Sequence, residues 1–232
     1  MRKSALLSVA LAFPLLLGAR PPEFGLALPP ARTALVLEPD TQEVSVEFLL
    51  EALARSTGAE LALSQDERQA LRQQKVKLLH STEVPAEELY GFVESHLVAN
   101  GLAFAPVKGG KRPVLAVYTG TSGRGVGLFS PDPVPVSLAE LEAASGHPAL
   151  LVRTLLQVKN LDVRALQTQL RQLLLDPSGL VTVVPVGERG LLIQGRASFT
   201  AGLVQQLREL DAAAGRGQPA VLEKIEAQEG AR

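Results

Sequence analysis

Residues 155–174 read LLQVKNLDVRALQTQLRQLL, and residues 179–195 follow as GLVTVVPVGERGLLIQG. The first stretch changes its apolar period midway. Up to Val158 it alternates, continuing a run that begins at Leu150 and carries Val152, Thr154, Leu156 and Val158 on one side, the pattern of a half-buried strand. After Asp162 the apolar residues Leu166, Leu170, Leu173 and Leu174 fall at helical spacing, and Asp162 is a capping residue for that helix. Asp176-Pro177-Ser178-Gly179 ends it. Two further strands, Val181 to Pro185 and Gly190 to Gln194, flank the turn Gly187-Glu188-Arg189-Gly190, and Phe199 to Leu210 closes the unit as a helix. The order is βαββα over about sixty residues.

Upstream, Thr33 to Leu37 reads as a strand, and Val44 to Thr57 as a helix with Val46, Leu49, Leu50 and Leu53 on its buried stripe. Gly58 sits where a left-handed cap is expected. Glu60 to Leu63 is a short strand. Asp66 to Gln74 is too polar to separate a solvated helical turn from a loop, and Val76 to Leu79 is a strand. Pro85, Glu87 and Glu88 open a helix whose stripe is Leu89, Phe92, Val93 and Leu97, and Asn100-Gly101 ends it. Leu102 to Pro106 and Val114 to Thr119 then pair across Lys108-Gly109-Gly110-Lys111. The expected order of this unit is βαββαββ.

The sequence therefore predicts an α+β chain of two small mixed-sheet domains, 33–119 and 149–212. Each is expected to have its own core, with a stiff Gly/Pro-rich linker over 120–148 between them. Ser137 followed by Glu140 is a capping box, which places one short helix inside that linker. Residues 20–32 form a Pro-rich segment, and 213–232 a tail whose single apolar stripe is Val221, Leu222 and Ile225.

Residues 1–19 have a basic start at Arg2 and Lys3, an apolar run from Ala5 to Leu17, and the small residues Gly18 and Ala19. That is the pattern of a secretory signal peptide, so the expected location is periplasmic or otherwise extracytoplasmic, with membrane contact only through an uncleaved leader. The chain has no cysteine, so its domains rest on packing and not on disulfides. A formal net charge of -1 gives no field that would attract nucleic acid or acidic lipid.

The order of elements resembles that of secretins, the ring-forming outer-membrane channels of type II secretion and type IV pilus systems. Leu35 to Tyr118 is similar to their first periplasmic domain through VEFLLEALARSTG (46–58) and PAEELYGFVESHLVANG (85–101), a module also found ahead of some TonB-dependent receptors. Leu150 to Asp211 is similar to the KH-like domain repeated after it, through V-K-N-L-D, LLIQG and the closing LRELD. The resemblance implies a free-standing or truncated relative of the periplasmic vestibule, without the channel-forming region. Its implied partners are proteins of an envelope secretion or pilus assembly, among them a secretin or further copies of the chain. A sensing domain of the TonB-dependent signalling type is the second function it allows.

No reactive constellation stands beside this. His80, His96 and His147 do not fall at ligand spacing, so no metal, cofactor or small-molecule substrate is expected. The glycines of 120–127 complete neither phosphate-loop pattern, and Ser122 lacks the nucleophile elbow. Gly187-Glu188-Arg189-Gly190 matches G-x-x-G but joins two strands, so it reads as a hairpin turn and not as an RNA clamp. The expectation is a non-enzymatic protein that binds through open sheet edges. The candidate interface strands are Val114, Leu115, Ala116, Val117 and Tyr118 in the first unit, and Leu150, Val152, Thr154 and Leu156 in the second.

Overall fold

The computed structural model describes residues 28–37, 43–77, 82–107, 112–118, 133–173 and 181–216. The leader, the turn at 108–111, His80, the glycines of 120–127, the stop at 176–179 and the stripe of the tail lie outside the described residues.

In the first unit β1 (Leu35–Leu37) pairs antiparallel with β5 (Thr82–Val84), and β2 (Glu43–Ser45) with β4 (Lys75–Lys77). The third sheet has the order β3-β7-β6, in which β3 (Glu60–Ala62) lies parallel to β7 (Val114–Tyr118), and β6 (Ala103–Val107) is antiparallel to β7. Helix α1 (Val46–Thr57) begins where the Ser45 hydroxyl accepts from Phe48 N–H, and it ends at Gly58, whose φ of 70° only glycine adopts without strain. The polar segment after β3 is a helix, α2 (Gln65–Gln73), with one buried apolar residue, Leu71. Its start is fixed by a reciprocal capping box. Ser64 Oγ accepts from Glu67 N–H at 3.2 Å, and Glu67 Oε2 accepts from Ser64 N–H at 2.8 Å. A 3-10 turn at Ala86–Glu88 leads into α3 (Leu89–Ala99), so the acidic pair precedes the helix proper.

The second unit is a four-stranded sheet of order β10-β11-β9-β8. β9 (Leu151–Gln157) and β11 (Gly190–Arg196) are antiparallel over seven residues, and β10 (Thr182–Val186) adds to β11 around Gly187, with φ 66°. Residues 134–144 correct the linker boundary. β8 (Val134–Pro135) joins β9 in parallel, and α4 (Leu138–Ala144), capped by Ser137 and Glu140, buries Leu141 and Ala144. Helices α5 (Val163–Leu173) and α6 (Ala197–Gly215) complete the unit, with Leu166, Leu170, Leu203, Val204 and Leu207 buried beside Leu156, Leu191 and Ile193. Helix α6 is longer than its apolar stripe predicts, and one reason lies in Asp211. Its carboxylate accepts from the N–H groups of Lys159, Asn160 and Leu161 at 2.7–3.1 Å, tying the helix to the loop after β9. The V-K-N-L-D and L-R-E-L-D segments thus meet in one clasp.

The expectation of two separate cores is also corrected. Buried apolar residues run in one cluster from Leu35 and Leu50 through Phe104 and Leu150 to Leu207. Phe104 and Leu150 form a parallel bridge, with Phe104 N–H donating to Ala149 O at 3.0 Å, so β6 abuts the start of β9. Arg196 reaches across to Val98 O at 3.3 Å. On the other face of this seam Ala103, Ala105 and Leu151 form a smaller buried group.

Candidate interaction surface

Of the two strands expected to offer open edges, β7 lies between β3 and β6. Val114, Leu115 and Ala116 are paired on both sides, while Val117 and Tyr118 are in register with β6 and lie past the end of β3. The signal that misleads is local: a hairpin with β6 is legible, while the parallel partner β3 lies more than fifty residues earlier. β9 is interior at its start, where Val152 and Arg153 pair with β8 and Leu150 bridges Phe104, and β8 extends no further. From Thr154 onward that side of β9 is beyond the reach of β8. The side chains of Leu150, Val152, Thr154 and Leu156 face the core and are buried.

What β9 does expose is the opposite face. Leu155 stands in register with Leu192, and Leu192 with Val184, giving an apolar row across three strands. Val186 lies beside it. Leu155, Val184 and Val186 are 43%, 42% and 46% exposed, and Leu192 is half-buried. Helices α5 and α6 cover the other face of this sheet, so the row is a bare sheet surface of the kind that marks contact with another segment. Sequence reasoning missed it, although T-V-V-P-V (182–186) is apolar on both faces, which a strand wet on one side does not need. Pro185 removes one donor from β10, which among the described strands pairs with β11 alone, and blunts it as a template for strand addition.

The seam holds a buried carboxylate. Glu94, fully buried on α3, accepts from Ala149 N–H at 3.1 Å and lies 2.7 Å from His147 Nδ1. Both partners come from the segment entering β9, so a carboxylate of the first unit holds the backbone of the second. The Tyr90 ring meets His147 edge-on at 5.6 Å, and its hydroxyl donates to Pro29 O at 2.9 Å. Burial, and then the charge of Glu94, push that phenol upward, so it remains a donor at any physiological pH. A cleft of about 520 Å³ opens beside them, with Glu83, Glu87 and Glu88 at its rim and Tyr90, Phe92 and His147 in its wall.

His96 packs edge-on against Phe92 at 4.8 Å, and burial lowers its pKa below the usual 6.5. Among the described residues no group of three or more His, Asp or Glu is placed to hold a metal ion, and no helix is long and apolar enough to cross a membrane. Gly187 to Gly190 is a hairpin turn, as its position between two strands predicts.

No family model matches the sequence, and no curated protein matches it. Solved structures do. A chain of the Klebsiella pneumoniae type II secretion system outer membrane complex, described as PulD, PulS and PulC HR domain, matches with a TM-score of 0.53 at 19% identity. The match covers 74% of this chain and 26% of that one, so the chain spans about a quarter of the length of its match. The enterotoxigenic Escherichia coli GspC-GspD complex from the type II secretion system matches at 16% identity over 78% of this chain and 100% of that one, with a TM-score of 0.27. A structure named XcpQN012 matches at 16% identity over 78% and 65%, with a TM-score of 0.24. The first of these bears on architecture: the chain has the α+β fold of secretin N-terminal domains.

Proposed function

We propose that this chain is an exported, non-enzymatic protein-interaction module that serves a type II secretion or type IV pilus-like assembly as an accessory or free-standing component. The observation that carries the reading is the fold shared with the type II secretion outer-membrane complex. The bare row of Leu155, Leu192, Val184 and Val186 supports it, because a surface of this kind is where a protein partner gains affinity from burial. The secretion-type leader read at residues 1–19 supports a periplasmic location, where such domains work in secretion systems.

The seam changes how contact is made. With Glu94 holding Ala149 and His147, both units present their surfaces as one body at a preset angle, which lowers the ordering cost of docking on two neighbours at once. The test is affinity capture of tagged protein from the native envelope, run beside the Leu155→Glu variant. The reading expects a secretion or pilus channel protein in the wild-type capture and its loss from the variant. A strictly monomeric protein that captures no envelope protein overturns it.

A further inference from the structure

The groove of about 520 Å³ beside α3 is built by both units. Glu83, Glu87 and Glu88 stand at its rim, Tyr90, Gly91 and Phe92 form its wall on α3, and His147 closes it from the segment entering β9. Because Glu94 holds His147 and Ala149, the wall is complete only while the two units are coupled. Its volume is in the range that takes a ligand-sized group. Gly91 keeps it open. This glycine lies inside α3, outside the left-handed region, and a Cβ there would meet nothing within 4 Å, so no packing within the fold requires it. A glycine in a helix is destabilising relative to alanine, and what it supplies here is bare backbone facing the groove.

The electrostatics are one-sided. Residues 82–101 and 133–152, the two stretches that carry most of the lining, contain four and two glutamates and no lysine or arginine. Among the described residues Glu83, Glu87 and Glu88 are exposed and form no ion pair. Arg32, Lys77, Arg153 and Arg196 lie on adjoining segments, and none of them lines the groove. Arg153 and Arg196 are also engaged elsewhere, with Gln194 and with Val98 O. His147 faces Glu94. The rim therefore repels an acidic segment or a phosphate and draws in a cation.

We propose that this groove binds an arginine-bearing segment of a protein partner, with a guanidinium at Glu87 and Glu88 and its stem against Tyr90 and Phe92. Arginine suits the site better than lysine, because its planar fork can serve two carboxylates while its face lies on an aromatic ring. The site is separate from the bare row of the second sheet and does not rest on a secretion role.

The test is fluorescence anisotropy with a labelled nonapeptide amide of alternating glycine and arginine, beside the same peptide with citrulline, which keeps the shape and lacks the charge. The full chain is expected to bind the arginine peptide about tenfold more tightly than the citrulline peptide. Glu87→Gln combined with Glu88→Gln removes about the same factor. Gly91→Leu fills the groove without changing its charge and is expected to weaken binding as much. Gly202→Leu makes the same change on α6, at a glycine equally free of contacts and outside the groove, and leaves binding unchanged. Leucine favours a helix over glycine, so both variants are expected to fold. Wild-type binding by Gly91→Leu overturns the proposal, since the peptide is then held by surface charge alone. Equal binding of the two peptides, or an equal loss in Gly202→Leu, overturns it too. None of these results touches capture through Leu155, so the two readings fail separately.

Discussion

The first unit has strands of three residues at β1 to β5 and ties them down with side chains; the second has strands of five to seven residues at β9 to β11 and leaves a face of them bare. In the first, Ser56 Oγ accepts from the N–H groups of Arg32 and Thr33 and donates to Thr33 O, which stitches the entering chain to α1. Glu47, nearly buried on α1, takes a 2.5 Å hydrogen bond from Arg72 Nε and holds α2, which buries little of its own. Tyr90 pins Pro29 in the same way. The second unit needs fewer such pins within its sheet, because the pairing of β9 with β11 runs through seven registered positions. Where pairing is short, side-chain hydrogen bonds specify the geometry. Where it is long, apolar surface is left free for other contacts.

The largest test of this contrast is at the seam, where the two styles meet. Glu94→Ala strands the buried Ala149 N–H and removes the acceptor for His147, and it is expected to cost about 3 kcal/mol, read as a lower urea midpoint. His147→Ala costs less, since the bond to Ala149 survives. An unchanged midpoint in Glu94→Ala breaks the picture of a coupled pair and leaves two independent units.

A smaller effect is expected in the second unit alone. Asp211→Ala frees three N–H groups of the loop after β9, and a loss of roughly 2 kcal/mol is expected, with faster amide exchange at residues 159–161. If exchange there stays slow, the loop is held by packing and the clasp is incidental.

The smallest effect sharpens the picture of α3. Burial lowers the pKa of His96, so the unfolded chain takes up a proton that the folded chain resists. Stability is therefore full above about pH 6.5 and declines as the pH falls through the lowered value. In thermal melts at pH 7.5 and 5, His96→Gln is expected to lose less on acidification than the wild type, by a few degrees of Tm at most. An identical loss in both proteins places the acid sensitivity elsewhere.

These effects sit mostly where the sequence is silent. The βαββα order, α1 with Gly58, and the capping box at Ser137 are legible, because each is a local pattern of apolar period or cap chemistry. β2 and β5 are not, since strands of three residues are too short to show a period around Val44 or Val84. α2 hides for the same reason: Leu71 alone cannot draw a stripe, and its stabilising partner Glu47 lies on another helix. Glu94 reads as an ordinary surface residue of a helix, and nothing local announces that Ala149 will arrive at its carboxylate. β7 is recognisable as a strand, while its interior place depends on the distant β3.

The position of β8 and α4 bears on how such a chain can be divided. A fragment that starts at residue 149, after the Gly- and Pro-rich stretch, discards the short parallel strand beside Val152 and the helix that lies against α6. It also parts Ala149 from its acceptor. The transferable piece begins some sixteen residues earlier, near residue 133, and even then it carries a socket shaped for its neighbour, so a graft onto another protein must bring α3 with it or redesign the joint.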